Sequence, residues 1–375
     1  MSRLRAALDV SGLDAFVVSG LPHLFYLINL RSSAGALVVW RDAPELDLIV
    51  DFRYVEAVRR LQAAGEAPVE LRIVTVDGAG TYEGTVCDTL RSRSPARVGI
   101  EADHLSVRRW QWMDGKLDAE LVPTIELVER QRMVKDPHEI ETLRQAGSML
   151  AAAVGPAVAG VRIGRTETEI ARDIERLLAE AGFEAPAFDT IVASGPNGAL
   201  PHARPGSRQL ADGDLVLLDF GGVHKGYCVD ISRTVVAGTA APEARRLHAA
   251  VLEAQSAAIA AAEPGRLASE VDGAARAVLE RHGLGSAFGH GTGHGLGIEV
   301  HELPRIGRKR ADPAGGAGDV TLEPGMVFTL EPGVYVPALG GVRIEDDVLV
   351  TESGVEVLTP ASRRLSVFRR GAEPS

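Results

Sequence analysis

Residues 215–234, LVLLDFGGVHKGYCVDISRT, contain the pattern that decides the fold of this chain. Positions 215–220 are apolar except for one aspartate, and polar and apolar residues alternate over 227–236, which predicts two strands. We expect the chain to reverse direction between them at its glycines, Gly221, Gly222 and Gly226. The segment is therefore predicted to be a β-hairpin.

Each predicted strand of the hairpin carries one carboxylate, Asp219 in the first and Asp230 in the second. An aspartate inside an apolar strand is costly to bury unless it has a partner. A hairpin can bring the two side chains to one place, where two carboxylates repel each other. We interpret them as ligands of a metal cation, which would remove that repulsion.

Four histidines lie in loop-like sequence on either side of the hairpin. His202 precedes it, in a loop rich in Gly, Pro and Ser. The segment FGHGTGHGLGIEVHELPRI follows it and carries His290, His294 and His301. The glycines of that segment argue against a helical H-x-x-x-H zinc motif and favour an extended backbone that approaches a ligand closely.

Two glutamates, like the two aspartates, lie inside apolar, strand-like sequence where a buried charge needs a partner. Glu331 lies in the strand-like run VFTLEPGVYV, and Glu345 lies in GGVRIEDDVLV. Of the adjacent Asp346 and Asp347, we expect one to cap a backbone group or to face solvent. The four strand carboxylates and at least one imidazole form an oxygen-rich ligand set, which favours Mn²⁺-like ions over a thiolate or tri-histidine zinc site.

The number of carboxylates predicts the number of metal ions. Four carboxylates around one divalent ion leave a strongly negative buried site, whereas two ions neutralise it. Two ions about 3.5–4 Å apart can activate a shared water and polarise a carbonyl, so the pattern predicts metal-assisted hydrolysis. Taken singly, each carboxylate is more often satisfied by arginine or backbone donors; the joint pattern favours metal.

Composition excludes several other classes of protein. The chain has 375 residues, a net charge of −11 and no long Lys/Arg run, which argues against a nucleic-acid-binding surface. Cys87 and Cys228 are too few for a disulfide framework. The first residues are typical of an amphipathic helix rather than a signal peptide, and no apolar run reaches membrane-spanning length. We expect a cytoplasmic protein that contacts no membrane.

The first third of the sequence alternates between strand-like and helix-like segments, which predicts an α/β domain with a sheet flanked by helices. The predicted strands are 15–19, 36–40, 46–51, 72–76 and 97–101, and the predicted helices are 54–64, 82–92 and 105–117. His23 and His104 are isolated in this region and are predicted to be structural or surface residues. We place a domain boundary near residue 130, which gives domains 1–130 and 131–375.

The second part of the sequence contains an internal repeat. GRTETEIARDIERLLAEAG begins at Gly164, and GRLASEVDGAARAVLERHG begins at Gly265. Thr166 and Glu169 have the spacing of a capping box, which predicts a helix start in the first copy. The repeat predicts a pseudo-two-fold duplication of αβ halves, and chance similarity of two Ala/Glu/Arg-rich helices is the alternative.

The residues singled out above closely resemble the creatinase/aminopeptidase P/methionine aminopeptidase family, which has the pita-bread fold. The matching segments, in the order of the family, are LLDFGG, GYCVDISRT, HGTGHGLGIEVHE, FTLEPG and GVRIEDD. Residues 1–130 resemble the N-terminal domain of the Xaa-Pro peptidase (M24B) branch, a domain that methionine aminopeptidases lack. The resemblance implies an α+β pita-bread catalytic domain after a creatinase-like α/β domain.

The resemblance also implies roles for individual residues. Two divalent ions, Mn²⁺ first and Co²⁺ or Zn²⁺ as alternatives, are implied to bind Asp219, Asp230, His294, Glu331 and Glu345, with Asp230 and Glu345 bridging. Glu331 resembles the family's proton shuttle. His202 and His301 resemble the pair that stabilises the developing oxyanion. His290 and Arg305 resemble substrate-binding residues of the family, and Arg343, two residues before Glu345, is a further substrate-binding candidate.

Three functions follow from the resemblance. A Xaa-Pro dipeptidase (prolidase) is favoured, because it must bind the free carboxylate of a C-terminal proline and Arg305 and Arg343 lie near the predicted site. The alternative is aminopeptidase P, which acts on longer peptides. A non-catalytic peptide-binding or protein-binding relative is a distant third, because such relatives have typically lost metal ligands. The expected partners are a small proline-containing peptide and a second copy of the chain in a homodimer.

Overall fold

The computed structural model describes residues 1–309, 316 and 318–368. The chain divides into two compact units, the first comprising Met1–Arg132 and the second beginning at Met133. No helix among the described residues has both the length and the apolar character needed to cross a bilayer.

The first unit contains a six-stranded mixed sheet and its helices. The strands are β1 (Ala15–Val18), β2 (Ala36–Trp40), β3 (Leu46–Val50), β4 (Leu71–Thr75), β5 (Arg97–Glu101) and β6 (Glu120–Thr124). The helices are α1 (Ser2–Val10), α2 (Leu21–Ile28), α3 (Phe52–Ala63), α4 (Tyr82–Arg91), α5 (Val107–Asp114) and α6 (Glu129–Met133). The strand order is β4-β3-β2-β1-β5-β6.

Successive side chains along each strand point to opposite faces of this sheet, and each face is covered by its own hydrophobic core. Phe16 and Val18 pack in one core with residues of α1, α2 and α3. Ala15 and Val17 pack in the other with residues of α4 and α5. This period of two is the pattern expected of a sheet covered on both sides, and the predicted α/β domain with flanking helices is confirmed.

Three elements of the first unit were not predicted, the short helix α6, helix α2 and strand β6, and the last two have a structural explanation. Helix α2 begins with Leu21 and Pro22, and the sequence GLP reads as a loop when it is considered alone. Strand β6 contains Pro123, which is tolerated because β6 is an edge strand of the sheet. In both cases the neighbouring elements decide the local structure.

The second unit is built from two sheets and four long helices. The helices are α7 (Pro137–Ala159), α8 (Glu167–Glu180), α9 (Pro242–Ala261) and α10 (Ala268–Arg281). The first sheet contains β7 (Ala185–Pro186), β8 (Ile191–Ser194), β9 (Leu215–His224), β10 (Tyr227–Ala237) and, at the end of the chain, β18 (Val367–Phe368). The second contains β11 (Gly293–Gly295), β12 (Glu302–Ile306), β13 (Val327–Leu330), β16 (Asp346–Thr351) and β17 (Gly354–Val357), and a separate pair is formed by β14 (Gly333–Val336) and β15 (Gly340–Arg343).

The predicted duplication is confirmed in this unit. Helices α8 and α10 have the same length and begin at equivalent positions of the repeat. Ahead of them, the amide of Gly164 donates to Leu210 O and that of Gly265 donates to Leu322 O, each at 2.8 Å. The capping box of Thr166 and Glu169 is present as predicted. Each half has its own apolar core, one with α7 and α8 and the other with α9 and α10.

The predicted hairpin is also present, but its turn is shorter than expected. Only Lys225 and Gly226 lie between the paired His224 and Tyr227, and both turn residues have positive φ (50° and 82°). These φ angles are typical of a two-residue hairpin turn whose twist matches the twist of the flanking strands. Gly221 and Gly222 belong to β9, so the prediction that they form the turn was wrong. A side chain at Gly222 would collide with the ring of Phe183.

Candidate metal centre

The hairpin places two of the predicted ligands on one face of the first sheet. Asp219 pairs with Ser232, and Asp230 pairs with Gly221. Because side chains on a strand alternate between faces, Asp219 and Asp230 lie on the same side as diagonal neighbours. Both are buried, with relative exposures of 7% and 5%.

The second sheet brings the other predicted ligands to the same place. His294 is the central residue of β11, Glu331 follows β13, and Glu345 lies between β15 and β16. One ligand atom each of Asp230, His294 and Glu345 lies within 4.8 Å of the other two. His294 Nε2 is 3.7 Å from Glu331 Oε1. The five residues thus converge from both halves of the duplication.

The carboxylates of this cluster repel one another. Burial, followed by the charges of Glu345 and Asp219, raises the pKa of Asp230. Burial and the charge of Glu345 raise the pKa of Glu331, and burial and the charge of Asp219 raise that of Glu345. Such a group of anions needs either protons or cations to be stable at neutral pH.

The hydrogen-bonding pattern indicates cations. Asp219 Oδ1, Asp230 Oδ1 and Glu345 Oε1 are buried and have no hydrogen-bond partner among the described residues. Nearly all buried polar atoms in proteins have such a partner, so three exceptions in one cluster need an explanation. Carboxylate oxygens without donors are suitable ligands for divalent ions. The donor set therefore fits the expected metal ions.

Burial keeps the neighbouring imidazoles neutral. It lowers the pKa of His294 to about 4, with a further contribution from His301, and it lowers the pKa of His290 to about 4. Burial and the charge of His202 lower the pKa of His301. A histidine must be neutral to bind a metal, so His294 is in the required form at neutral pH. The ring centroids of His294 and His301 are 4.1 Å apart.

A buried arginine connects this cluster to a tyrosine that the sequence analysis missed. Arg343 donates to Asp219, to Ser232 Oγ at 3.0 Å and to Tyr335 Oη at 2.7 Å. Tyr335 Oη lies 2.9 Å from His290 Nε2 and, because it accepts from Arg343, can donate its proton to that nitrogen. The only signal in the sequence was a polar-tipped aromatic residue in the strand GVYV.

Two more buried side chains, those of Asp347 and Ser232, form hydrogen bonds with the candidate ligands. Asp347 accepts a hydrogen bond from the amide of Asp230 at 2.9 Å, and Ser232 Oγ donates to Glu345 Oε2 at 2.6 Å. Asp346 is paired with Arg233 at 2.7 Å. Of the two roles expected for one of Asp346 and Asp347, Asp347 has the first, because it binds a backbone amide, whereas neither side chain faces solvent, since both are at most 1% exposed.

The loop that carries His202 is fixed by a second buried carboxylate. Glu167, in the first turn of α8, accepts hydrogen bonds from Ser194 N at 2.8 Å, Ser194 Oγ at 2.7 Å and Gly206 N at 3.0 Å. His202 is exposed within this loop, and its charge lowers the pKa of both His290 and His301. Glu167 therefore holds the two ends of a loop that presents His202 to the site.

Arg305 lies beside the cluster on the second sheet. It is paired with His294 across β11 and β12, so the two side chains lie on the same face. Its side chain is exposed, and its guanidinium has no hydrogen bond or ion pair within the described residues. Arg343, in contrast, is 3% exposed and has partners for all three of its nitrogens.

Comparison with known proteins agrees with this geometry. Residues 141–352 match metallopeptidase family M24, and residues 1–134 match the creatinase/prolidase N-terminal domain. The chain belongs to metallopeptidase family M24. Membership in M24 implies divalent metal ions, and the similarity to solved prolidase structures confirms the predicted pita-bread fold.

Relatives within M24 cover nearly the whole chain. A Xaa-Pro dipeptidase from Pyrococcus horikoshii is 39% identical over 359 residues, covering 96% of each protein. The solved structure of a Xaa-Pro dipeptidase from Bacillus anthracis has a TM-score of 0.89 at 35% identity, with 98% of each chain covered. An X-Pro aminopeptidase from Thermotoga maritima has a TM-score of 0.84 at 32% identity, covering 98% of this chain and 99% of its own.

Proposed function

We propose that this M24 peptidase is a Xaa-Pro dipeptidase that requires two divalent metal ions. The observation that carries the proposal is the convergence of five ligand side chains with three buried carboxylate oxygens that lack donors. The 39% and 35% identical relatives described as Xaa-Pro dipeptidases support the substrate class.

The residues that would hold the two ions are Asp219, Asp230, His294, Glu331 and Glu345. When bound, the ions lower the pKa of a water and polarise the scissile carbonyl. We propose Mn²⁺ because four of the five ligands are carboxylates, which suit hard ions. Co²⁺ and Zn²⁺ are the alternatives to be tested by loading.

The proposed catalytic residues surround this ligand set. Glu331 accepts the proton of the attacking water and passes it to the leaving proline nitrogen. His202 and His301 donate hydrogen bonds to the carbonyl oxygen as it gains negative charge. His290 is proposed to line the substrate pocket, and its hydrogen bond with Tyr335 fixes the orientation of its ring.

The two arginines are proposed to have different tasks. Arg305 is exposed next to His294, and its charge is available to bind the free carboxylate of a dipeptide substrate. The substrate-binding role predicted for Arg343 has less support, because its donors already go to Asp219, Ser232 and Tyr335. We propose that Arg343 positions Asp219.

The test compares a Xaa-Pro dipeptide with the corresponding tripeptide after loading the purified protein with Mn²⁺. We expect preferential cleavage of the dipeptide. Arg305→Ala should lower kcat/KM for the dipeptide by about 10- to 100-fold, the value of a charge-assisted hydrogen bond, with little effect on the tripeptide. Arg308→Ala, which changes another exposed arginine of the same region, is the control.

The alternative function is an Xaa-Pro aminopeptidase, which the similarity to the Thermotoga maritima structure favours. Preferential cleavage of the tripeptide, together with an Arg305→Ala variant indistinguishable from Arg308→Ala, would establish that alternative. Failure to cleave either peptide with any of the three metals would favour a binding function. The homodimer and the cytoplasmic location stay predictions, for which gel filtration and cell fractionation are the measurements.

A further inference from the structure

A second group of metal-ligand side chains lies in the first unit. His23 is in α2, His104 follows β5, and Glu129 begins α6. One ligand atom from each lies within 4.8 Å of the other two. The sequence predicts structural or surface roles for both histidines, because no local spacing connects residues so far apart in the chain.

Glu101 fixes the proton of His23. His23 is fully buried, and its Nδ1 lies 2.5 Å from Glu101 Oε1. The other oxygen, Glu101 Oε2, accepts hydrogen bonds from the amides of Ser19 and Gly20, the latter at 2.7 Å. Glu101 can thus accept a hydrogen bond from His23 Nδ1, and in that tautomer of the neutral ring Nε2 carries the lone pair that a metal ion would bind. A carboxylate in this place commonly orients histidines that bind metals.

The other ring nitrogen of His23 faces the carboxylate of Glu129. Nε2 is buried and lacks a hydrogen-bond partner among the described residues. It faces Glu129 Oε1 at 3.7 Å, and His104 Nε2 lies 3.8 Å from the same oxygen. In the neutral tautomer two acceptor atoms face each other here, and a metal ion between them would bind both.

The spacing is close to that of a tetrahedral metal site. Ligands about 2.0–2.2 Å from a zinc ion are about 3.3–3.5 Å from each other, so the two measured distances need to shorten by only a few tenths of an ångström. Gly20 permits this packing, because a Cβ there would lie 2.9 Å from His23 Nδ1 and 3.0 Å from His104 Cδ2. His104 and Glu129 are 27% and 22% exposed, which leaves an entrance for the ion and room for a water as fourth ligand.

We propose that His23, His104 and Glu129 form a mononuclear Zn²⁺ site in the first unit, separate from the dinuclear centre. Two imidazoles and one carboxylate suit Zn²⁺ better than the harder Mn²⁺. Two neutral histidines with the carboxylates of Glu101 and Glu129 carry a charge that one divalent ion balances. The ion would connect α2, the end of β5 and the start of α6.

The experiment uses the full-length chain with Asp230→Asn and Glu345→Gln, which disable the dinuclear centre. The protein is stripped with a chelator, incubated with Zn²⁺ alone, passed through gel filtration and analysed for metal by mass spectrometry. We expect one Zn²⁺ per chain. Adding His104→Gln or Glu129→Gln should lower the Zn²⁺ affinity at least about tenfold, since losing even an outer partner of a ligand costs that much.

His138→Gln, which changes an exposed histidine at the start of α7, is the matched control and should keep the ion. A second readout is the melting temperature, which Zn²⁺ should raise in the parent and the control but not in the His104→Gln or Glu129→Gln protein. Equal Zn²⁺ content in all these proteins, or none in the parent, overturns the proposal. Neither result depends on whether the dinuclear centre cleaves Xaa-Pro bonds.

Discussion

Single carboxylate oxygens determine what the candidate metal centre can bind. Asp219, Asp230 and Glu345 each bury one oxygen that no described donor reaches, while the other oxygens of Asp219 and Glu345 accept hydrogen bonds from Arg343 and Ser232. In Asp219 and Glu345, one oxygen is thus held by the protein and the other is available to a cation. Amide substitutions (Asp→Asn or Glu→Gln), which remove the charge of a carboxylate but keep its shape, test this division most directly.

We predict that Asp230→Asn and Glu345→Gln each lower the metal content and reduce kcat/KM by more than about 100-fold. The reason is that a metal ligand should matter more than the outer partners of ligands, whose loss costs 10- to 100-fold. Metal analysis and peptide hydrolysis after Mn²⁺ loading are the measurements. Glu352→Gln, at an exposed turn, is the control. Full activity in either site variant would reject the metal assignment.

The second prediction at this scale concerns Tyr335. Tyr335→Phe removes the hydroxyl that lies between Arg343 and His290 and leaves the ring. We expect kcat/KM to fall by about 10- to 100-fold while the bound metal stays unchanged, because no metal ligand is altered. Tyr227→Phe is the matched control, since its hydroxyl donates to Glu139. Equal activity of the two variants would remove Tyr335 from the site.

The sequence could predict which carboxylates converge in the candidate metal centre, because a charge in an apolar strand is conspicuous. Asp219, Asp230, Glu331 and Glu345 stand out in this way, and the structure brings them together with His294. Residues such as Tyr335 and Ser232 could not be predicted. Their side chains are common in strands, and their importance arises only from neighbours that are distant in the chain.

Elements position the histidines, and the loop of His202 is the clearest case. Residues 194–206 run from the end of β8 toward β9, and Glu167 of α8 binds both ends of that segment. The sequence predicted the helix start and the loop, but it did not indicate that Glu167 points into the protein. A glutamate in the first turn of a helix is usually explained by the helix dipole alone.

We predict that Glu167→Gln lowers the stability of the protein by about 1–3 kcal/mol, because buried amide donors of the loop lose a charged acceptor. We also expect a lower kcat/KM, since the loop would no longer hold His202 in one position. Chemical denaturation and peptide hydrolysis are the measurements. Glu175→Gln, on the exposed side of the same helix, should change neither. A stable variant with normal activity would contradict the proposed support of the loop.

Packing between elements explains why the turn predicted at Gly221 and Gly222 was wrong. The glycines of the hairpin suggested a wide turn, because turn chemistry is the usual reason for consecutive glycines. Gly221 and Gly222 instead continue β9, where the rings of Phe188 and Phe183 leave no space for side chains. That reason lies in tertiary packing and has no local signal in the sequence.

At the scale of the whole molecule, the titration of the metal-free site should govern stability. Burial and the charge of Asp219 raise the pKa of Glu345 to about 8. A carboxyl with a raised pKa binds more protons in the folded than in the unfolded chain, so its contribution is lost as the pH rises through the folded-state pKa. His290 and His294, with pKa lowered from 6.5 to about 4, act in the opposite direction, but only below pH 6.5.

We therefore predict that the metal-free protein becomes less stable between pH 6.5 and pH 8, by up to about 2 kcal/mol for Glu345 alone. Mn²⁺ should reverse this trend, because it binds the ionised carboxylates of the folded chain. Urea denaturation at several pH values, with and without Mn²⁺, is the measurement. Metal-free Glu345→Gln should show a smaller decline. A flat profile for the metal-free wild type would contradict the electrostatic account.

The duplication has a consequence for how the second unit opens. One half contributes Asp219 and Asp230, and the other contributes His294, Glu331 and Glu345. The carboxylate oxygens that lack hydrogen-bond donors therefore face each other between the two repeats. Without a cation, the repulsion between these carboxylates weakens the contact between the two halves, and bound cations would strengthen it. Metal binding would then hold the two halves of the second unit together. Loss of the metal would make this unit easier to unfold and to degrade.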